Sequence, residues 1–538
     1  MRAKLALVVI IILGAFLRFY KLDWGEGFFF HPDEYHIAIA VNRLNFPGNM
    51  NPELFSYGSF SVYLIYFSKL ILQSVGANLS NTNPILIGRF FSALFSTLTI
   101  FLVYLISSNI FIKKKLALIS SFITAVIPGL IQQAHFATPE STLTFWLFLT
   151  IALWLKWLDN RKLRHLILSA LSLGAGVATK IVAASYLPIL IVIPFIGKPI
   201  LKDELVDKIK FFVAPIFLIL LSLSSFLIFF PYSVLDKSGF IHSMNYEAAV
   251  ARGAEIVFYT RQFINTTPFV FQITKVFPYI LGPAVFIFGV LGIVLAGTNL
   301  VNSFIKRKEI SNNLLILLLS FFAYLIPNVL LFAKWTRFMA PTIPFFCIFS
   351  VYTIYFLRSR KGFLSKYISP FLITFLITVT TVWEIMFFSI YKKPDVRLTA
   401  TVWIKQNIPQ NSTILTEEGN TLEVPLSGSF NKMVFNFYNL ENGGANVELS
   451  SKLLLSDYFI VQSRRVFINH QRLPSEFPNT SSFYDKLFSG ESGFTKLMEF
   501  SSYPTLSLGK LKFEIDDELA EETWSVFDHP VLRIYQKN

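Results

Sequence analysis

The chain has 538 residues, of which 54% are hydrophobic and only 15% charged, with a formal net charge of +14. Soluble domains carry about 25% charged residues, so a wholly soluble protein is excluded, and the apolar excess falls in separate long blocks typical of membrane helices. The basic residues lie mostly in short segments between these blocks, which favours a role in membrane orientation over nucleic-acid binding. The single cysteine, Cys347, excludes a disulfide within the chain and a cysteine-based metal site.

The apolar blocks predict about eleven transmembrane helices. The first block lacks a small-residue cleavage site and further spans follow it, so we interpret it as a retained helix rather than a signal peptide. Residues 60–75 are also apolar, but Lys69 interrupts them, and we predict a helix at the membrane interface. The predicted spans lie near 4–20, 88–110, 116–133, 140–157, 165–180, 182–197, 211–230, 277–297, 312–332, 338–357 and 368–390.

The charge pattern predicts the topology, because every second segment between the spans is basic, as the positive-inside rule requires if the N-terminus is cytoplasmic. The 21–87 loop, the 134–139 turn, the 231–276 loop, the 333–337 turn and the tail then face outward. We therefore expect a multi-pass plasma-membrane protein with extracytoplasmic outer loops and tail. The inner basic residues are Arg2, Lys4, Lys113, Lys114, Lys115, Lys156, Arg161, Lys162, Arg164, Lys198, Lys202, Lys208, Lys210, Lys306, Arg307, Lys308, Arg358, Arg360, Lys361 and Lys366.

The tail differs in kind from the rest of the chain. It is polar, and short β-like runs at Thr413–Thr416, Tyr458–Gln462 and Val531–Tyr535 are separated by Asn, Gly, Pro and Ser. We predict a transmembrane domain over residues 1–391 and a soluble α/β domain over residues 392–538, which is long enough for its own core.

Two adjacent carboxylates, Asp33 and Glu34, lie in the first outer loop between His31 and His36. Such a group suits a general base, a metal site or both. Pro32 followed by two acids is also an ordinary helix start, because acids favour the positive end of the helix dipole. Spacing alone leaves both interpretations open.

A second cluster, residues 132–140, falls on the same predicted side of the membrane. Glu140 follows Pro139 and so has a helix-start explanation as well, yet an ionisable residue at the membrane edge is a functional candidate by default. His135 is a candidate for substrate binding, although a lone histidine is more often simply hydrogen-bonded.

Basic and aromatic residues complete the candidate site. Snorkelling to lipid headgroups explains any single basic residue at a span end, but three beside two acidic clusters favour an anion site such as a lipid-linked phosphate. These three residues are Arg89, Lys180 and Arg337. In the 231–276 loop, Tyr259 and Arg261 suit sugar stacking and phosphate contact, although such residues are also common at interfaces. The absence of P-loop, Gly-x-Ser-x-Gly and His-Glu-x-x-His motifs counts against ATP-driven, serine hydrolase and zincin chemistry.

Six short motifs follow one another along the chain and three more lie in the tail: Leu17–Phe19, Phe30–Glu34, Gly88–Leu94, His135–Glu140, Gly176–Lys180, Arg337–Pro341, then Trp403–Ile404, Ser456–Val461 and Tyr535. In this order they resemble the GT-C membrane glycosyltransferases. The resemblance is to the phospholipid carrier-dependent branch, which holds the protein O-mannosyltransferases and the lipid A aminoarabinose transferase.

The resemblance implies the GT-C fold, an α-helical polytopic membrane protein with interfacial helices and, here, a C-terminal extracytoplasmic α/β domain. It implies a glycosyltransferase that takes a sugar from a polyprenyl-phosphate donor, such as a dolichyl-phosphate sugar. The acceptor would be a lipid, a glycan or a protein on the outer face, and the displacement would invert the anomeric carbon. Membrane lipids are expected partners and nucleic acid is not.

The resemblance also implies roles for single residues. Asp33 would be the catalytic base, with Glu34 beside it. Glu140 falls on the family's second acidic position, which is usually Asp, so its longer arm departs from the pattern. Basic residues near the carrier phosphate are implied at Arg89, Lys180 and Arg337. Metal dependence varies among relatives, so no cofactor is implied for certain; a divalent metal is possible, with Asp33, Glu34 and Glu140 as its candidate ligands.

The main alternative is a transporter or flippase for a lipid-linked or anionic glycan. Transporters place charges near the bilayer midplane and often show inverted repeats, whereas here the acids lie at the predicted outer edge and no repeat is visible. A glycan polymerase or ligase normally lacks both the early Asp-Glu pair and the soluble tail. The glycosyltransferase is therefore the favoured hypothesis.

Overall fold

The computed structural model of the protein describes residues 2–78, 83–196, 205–359, 367–418, 423–426 and 428–538. It divides into two compact units. The membrane unit comprises Met1–Leu22, Asp33–Arg252 and Pro268–Glu384, and the C-terminal unit comprises Asp23–Pro32, Gly253–Thr267 and Ile385–Asn538. The C-terminal unit thus adds two short segments, one from each of the loops 21–87 and 231–276, to the tail that the sequence sets apart. Of the predicted inner basic residues, Lys198, Lys202, Arg360, Lys361 and Lys366 lie outside the described residues.

The membrane unit is built of helices. Their bounds are α1 (Arg2–Phe19), α2 (Pro32–Arg43), α3 (Ser59–Ser74), α4 (Pro84–Ile110), α5 (Lys114–Ala125), α6 (Pro128–Ala134), α7 (Glu140–Asn160), α8 (Leu163–Thr179), α9 (Leu187–Val192), α10 (Leu205–Phe229), α11 (Tyr232–Leu235), α12 (Lys237–Arg252), α13 (Phe277–Ile305), α14 (Asn312–Val329), α15 (Ile343–Arg358) and α16 (Ser369–Lys392). Within the described ranges, six helices are long and apolar enough to cross a membrane, or seven if the bent pair α5–α6 is one span. The protein is therefore a multi-pass membrane protein, and the count of eleven spans stays a prediction.

Prolines account for two departures from the predicted spans. The predicted span 116–133 is bent by 53° between α5 and α6, where Pro128 begins the second helix. The predicted span 182–197 is a succession of short turns over Ile181–Phe195 that contains Pro188 and Pro194. Proline has no N–H to donate to the preceding turn, so a continuous α-helix is interrupted at these positions.

Arg18 stabilises the bend between α5 and α6. Its buried guanidinium donates hydrogen bonds to the carbonyls of Thr124 (2.9 Å) and Ala125 (2.7 Å), at the end of α5, and to the hydroxyl of Ser96 (2.7 Å) on α4. The last carbonyls of a helix have no partner within it, and a cation there also complements the helix dipole. Arg18 therefore satisfies carbonyls that the broken helix leaves exposed.

The C-terminal unit contains both helices and strands. The elements of this unit are α17 (Val396–Asn407), β1 (Thr413–Glu417), β2 (Asn431–Phe435), α18 (Ala445–Leu455), β3 (Tyr458–Val461), α19 (Phe467–Gln471), α20 (Pro478–Ser489), β4 (Phe494–Phe500), β5 (Thr505–Leu508), β6 (Leu511–Glu514), α21 (Glu522–Ser525) and β7 (Leu532–Lys537). Five of the strands form a sheet with the order β2-β1-β3-β7-β4. Strands β2, β1 and β3 are parallel, and β7 runs antiparallel to β3 and β4. The three predicted β-runs are β1, β3 and β7, so the α/β prediction is confirmed.

Alternating residues of the sheet fill two cores, because successive side chains of a strand point to opposite faces. Leu415 and Phe459 belong to one buried cluster, and their neighbours Ile414 and Ile460 belong to the other. Helices cover both faces, as in other α/β domains.

A buried histidine lies between two carboxylates in this unit. The imidazole of His529 is 2.6 Å from Asp528 Oδ1 and 2.9 Å from Asp517 Oδ2, and none of the three side chains is more than slightly exposed. The hydroxyl of Tyr391 donates to Asp528 (2.8 Å) and the indole of Trp524 donates to Asp517 (2.8 Å). Burial opposes the charged imidazole, but the two carboxylates outweigh it and raise the pKa of His529 to about 10.

We expect the stabilisation from His529 to be present below the ordinary histidine pKa near 6.5 and to be lost as the pH rises through about 10. The thermal midpoint of the full protein in detergent should fall by roughly 5 °C or more between pH 7 and pH 10.5. The His529→Gln variant should have a lower thermal midpoint at pH 7, and its midpoint should fall less between pH 7 and pH 10.5. An equal alkaline loss in both proteins would contradict the assignment.

Candidate active site

Asp33 is the second residue of α2, directly after the proline that begins the helix. Its predicted helix-start position is confirmed. Its carboxylate forms an ion pair with the guanidinium of Arg337, which stands in the 3-10 helix Thr336–Thr342. Both side chains keep access to solvent, with 18% of Asp33 and 20% of Arg337 exposed. A ligand can therefore reach this pair.

Tyr57 joins Arg337 to Lys180. The Arg337 guanidinium donates to the Tyr57 hydroxyl (3.1 Å), and the Lys180 ammonium lies 5.6 Å from the centre of the Tyr57 ring and 4.8 Å from that of Phe338. Lys180 follows the last residue of α8, and its ammonium forms a 2.8 Å ion pair with Glu140, the first residue of α7. The side chains from Asp33 through Arg337, Tyr57 and Lys180 to Glu140 therefore form a continuous series of contacts.

We call Asp33, Tyr57, Glu140, Lys180 and Arg337 the charge cluster. Four of these residues are predicted from the sequence, and the structure brings them together. Tyr57 is not among the predicted residues, because a tyrosine taken by itself does not stand out in a long loop rich in aromatic residues.

The close approach of two backbones fixes the position of Tyr57. The amide of Gly58 donates to the carbonyl of Thr179 (3.1 Å), immediately before Lys180. A Cβ atom at residue 58 would lie 1.8 Å from the carbonyl oxygen of Ala178, so only glycine permits this contact. The pair Tyr57-Gly58 followed by an apolar helix is the sequence signal that could have revealed this position.

Glu34, next to Asp33, has a different environment. Its carboxylate accepts two hydrogen bonds from the Arg89 guanidinium (2.8 and 2.7 Å) and one from the amide of Ala137 (2.7 Å). Arg89 also donates to the carbonyl of Leu22 (2.6 Å), and neither member of the pair is exposed. These hydrogen bonds connect the start of α2 with α4 and with the turn before α7. Gly88 helps, because a Cβ there would lie 2.7 Å from that of Ala137.

His135 is also enclosed. Its two ring nitrogens lie 2.8 Å from the carbonyl oxygen of Ile131 and 3.0 Å from that of Tyr20. The side chain is fully buried, so these contacts hold the turn before α7 against the end of α1. The geometry thus favours a positioning role for His135.

Two further titratable groups lie close to the charge cluster. Glu247 on α12 is near enough to interact with Lys180; loss of solvent raises the pKa of its carboxyl, and the lysine charge partly offsets this. Lys334 precedes the 3-10 helix that carries Arg337, and burial lowers the pKa of its ammonium to about 8. The ammonium donates to the carbonyl of Phe332 (2.8 Å).

Tyr259 and Arg261 lie in the C-terminal unit, in the 3-10 helix Phe258–Phe263. The Arg261 guanidinium donates to the carbonyl of Tyr438 (3.0 Å) and lies 2.8 Å from His470 Nε2. Burial, together with the Arg261 charge, lowers the pKa of His470 to about 4, so its neutral ring can accept this hydrogen bond. The structure therefore gives Arg261 partners within its own unit and does not include it in the charge cluster.

Each of the three carboxylates considered as metal ligands forms an ion pair with a cation of its own. Asp33 faces Arg337, Glu34 faces Arg89 and Glu140 faces Lys180. Throughout the part of the chain that the structure describes, no group of three or more His, Cys, Asp or Glu side chains is placed to hold a metal ion. In this arrangement a basic side chain already balances each carboxylate, which does not favour a divalent cation between them.

We expect Glu34→Gln to destabilise the protein by about 3–5 kcal/mol, because it leaves the Arg89 charge buried and unbalanced. The loss of stability is measured by thermal unfolding of the purified protein and by its yield from membranes. The matched control is Glu53→Gln, which breaks an exposed 2.9 Å ion pair with Arg43 and should cost about 1 kcal/mol or less. Equal effects of the two substitutions would contradict a structural role for the buried pair.

Comparison with known proteins identifies related sequences. The profile of the dolichyl-phosphate-mannose-protein mannosyltransferase family matches residues 8–247. The undecaprenyl phosphate-alpha-4-amino-4-deoxy-L-arabinose arabinosyl transferase 2 of Pseudomonas fluorescens is 28% identical over 196 residues, which cover 34% of each chain. The matched part of the chain spans 34% and 26% of the lengths of the two curated relatives.

Solved structures share the fold over most of the chain. The apo oligosaccharyltransferase of Archaeoglobus fulgidus has a TM-score of 0.53 at 15% identity, over 89% of this chain and 72% of that one. ArnT from Cupriavidus metallidurans, bound to undecaprenyl phosphate, has a TM-score of 0.50 at 13% identity, over 87% and 94% of the two chains. These matches confirm the resemblance inferred from the motifs, in sequence over residues 8–247 and in fold over most of the chain.

Proposed function

We propose that the protein transfers a sugar from a polyprenyl-phosphate donor to an acceptor hydroxyl at the extracytoplasmic membrane surface. The observation that carries the proposal is the charge cluster, where an accessible carboxylate lies beside two accessible cations. The arabinosyl transferase and the mannosyltransferase family are named for lipid-phosphate-linked sugars, which supports the same donor class here.

The two cations are the proposed phosphate site. Lys180 and Arg337 are separated by the Tyr57 ring and are 14% and 20% exposed, whereas Arg89 is fully enclosed by Glu34. A phosphate oxygen of the donor can approach Lys180 and Arg337 from solvent. It cannot reach Arg89 unless the buried ion pair with Glu34 is broken. Charge-assisted hydrogen bonds to these cations would stabilise the leaving phosphate as it gains charge.

Asp33 is the proposed base. The acceptor oxygen attacks the anomeric carbon, the bond from that carbon to the phosphate oxygen breaks, and the hydroxyl proton passes to the Asp33 carboxylate. The lipid phosphate leaves as a monoester, and one displacement inverts the anomeric carbon. In the present arrangement Asp33 holds Arg337, so a donor phosphate that takes the guanidinium would free the carboxylate to accept the proton.

The sequence supports an enzyme over a transporter. Transporters often show inverted repeats, and no such repeat is visible in this sequence. Asp33 and Glu140 begin helices, Lys180 follows the end of α8, and Arg337 precedes α15. The proposal places these helix ends on the extracytoplasmic side.

Asp33→Asn should lower transfer by at least about 100-fold, because the amide cannot accept the acceptor proton. The assay is the formation of glycosylated acceptor from a synthetic polyprenyl-phosphate sugar, followed by mass spectrometry. Binding of undecaprenyl phosphate should persist in the variant. Glu53→Gln, which changes another carboxylate of the same loop, should keep full activity. Unimpaired transfer by Asp33→Asn would exclude it as the base.

Tyr57→Phe should raise KM for the donor by about 10-fold with kcat changed less, because it removes the hydroxyl that holds Arg337 but keeps the ring facing Lys180. Tyr57→Ala should raise KM further through loss of the cation–π contact. The matched control is Tyr63→Phe, since that hydroxyl donates to the carbonyl of Met50 (2.9 Å). If Tyr57→Phe and Tyr63→Phe give the same kinetics, Tyr57 does not position the phosphate site.

A further inference from the structure

A small hairpin stands apart from the main sheet of the C-terminal unit. Among the residues that the structure describes, strands β5 and β6 pair only with each other, and a turn at Gly509 and Lys510 joins them. Within the described part of the chain, the five-stranded sheet includes neither strand. An isolated two-stranded hairpin is at best marginally stable in water, so its surroundings must contribute to its stability.

One face of this hairpin is entirely apolar. Leu506 lies opposite Phe513, and Leu508 lies opposite Leu511, so all four side chains point to the same side. The exposed fractions are 58% for Leu508, 63% for Leu511 and 52% for Phe513. The other face carries Ser507 opposite Lys512. Such a patch is costly in water and indicates a surface that meets an apolar partner.

The base of the hairpin is attached to the end of a membrane helix. The amide of Thr505 donates to the hydroxyl of Ser389 (2.9 Å) in the last turns of α16, and the Lys393 ammonium donates to the hydroxyl of Thr505 (3.3 Å). α16 is one of the helices long and apolar enough to cross a membrane. The hairpin therefore begins beside the last turns of a helix that is able to cross a membrane.

The charges of the hairpin also suit a membrane surface. Lys510 lies in the turn, and Lys512 lies on the face opposite the leucines, where it pairs with Glu514 at 2.6 Å. Lysines beside an apolar face, with an aromatic ring, are typical of segments that lie in the headgroup region.

We propose that the hairpin Thr505–Glu514 is a membrane-surface anchor whose apolar face contacts lipid acyl chains, with Lys510 and Lys512 at anionic headgroups. The occupant of this face is the lipid bilayer in which α16 is embedded. This assignment does not depend on the sugar-transfer proposal, since it uses neither the charge cluster nor a donor. It explains why an apolar hairpin persists at the surface of a soluble domain.

Site-directed spin labelling tests the anchor. The full protein with Leu511→Cys, labelled with a nitroxide, is reconstituted into vesicles of phosphatidylcholine and phosphatidylglycerol. Cys347 is fully buried and should stay unlabelled. Collision with oxygen, which concentrates in lipid, should exceed collision with a water-soluble nickel complex. Leu508→Cys gives the same readout if the first variant folds poorly.

Two controls use exposed positions of the same unit. Ser507→Cys reports the polar face of the hairpin, and Val447→Cys reports an apolar residue of α18 that is 72% exposed. Both labels should collide with the nickel complex at least several-fold more than the label at residue 511. Equal nickel access at 511 and 447 would overturn the proposal. Exclusion of both reagents at 511, with dipolar broadening between labels, would assign the face to a second copy of the chain instead.

Discussion

A charged pair with no access to solvent, Glu34 and Arg89, determines how the rest of the site is arranged. Burial of two charges is costly unless each is fully hydrogen-bonded, and here two guanidinium contacts, the Ala137 amide and the Leu22 carbonyl meet that condition. Because these contacts join α2, α4 and the turn before α7, the pair holds Asp33 where its carboxylate stays partly exposed beside Arg337. Adjacent acids of the same motif thus have separate tasks, one structural and one open to ligand.

The remaining cations follow from the same electrostatic constraint. Lys180 and Arg337 are each balanced by a carboxylate, yet both keep a solvent-facing side. Tyr57 keeps the two cations apart and contacts each of them, one through its hydroxyl and one through its ring. Spacing of this kind suits a phosphate ester, whose charge is spread over several oxygens. An enzyme with such a site needs no nucleotide, because its leaving group is already a stabilised anion.

The sequence predicts local features well and contacts between distant segments poorly. Helix starts at Pro32 and Glu140 follow from proline and acid preferences, which act within one turn. Strand runs such as Tyr458–Val461 follow from alternation and β-branched or aromatic side chains. By contrast, Asp33 and Glu34 are indistinguishable in sequence, since only the approach of Arg89 makes one of them structural. Tyr57 is missed for the same reason, because its role depends on a glycine that packs against another helix.

The composition of the C-terminal unit limits how such proteins can exchange parts. Phe30 lies 3.6 Å from the guanidinium of Arg397, and Arg261 lies against His470, although both partners come from the tail. If recombination replaced only the residues after α16, Phe30 and Arg261 would lose their partners Arg397 and His470. Viable hybrids should therefore inherit three segments together, including the ten residues that end at Pro32. We expect the two loop segments and the tail to change together during evolution, because they form one unit.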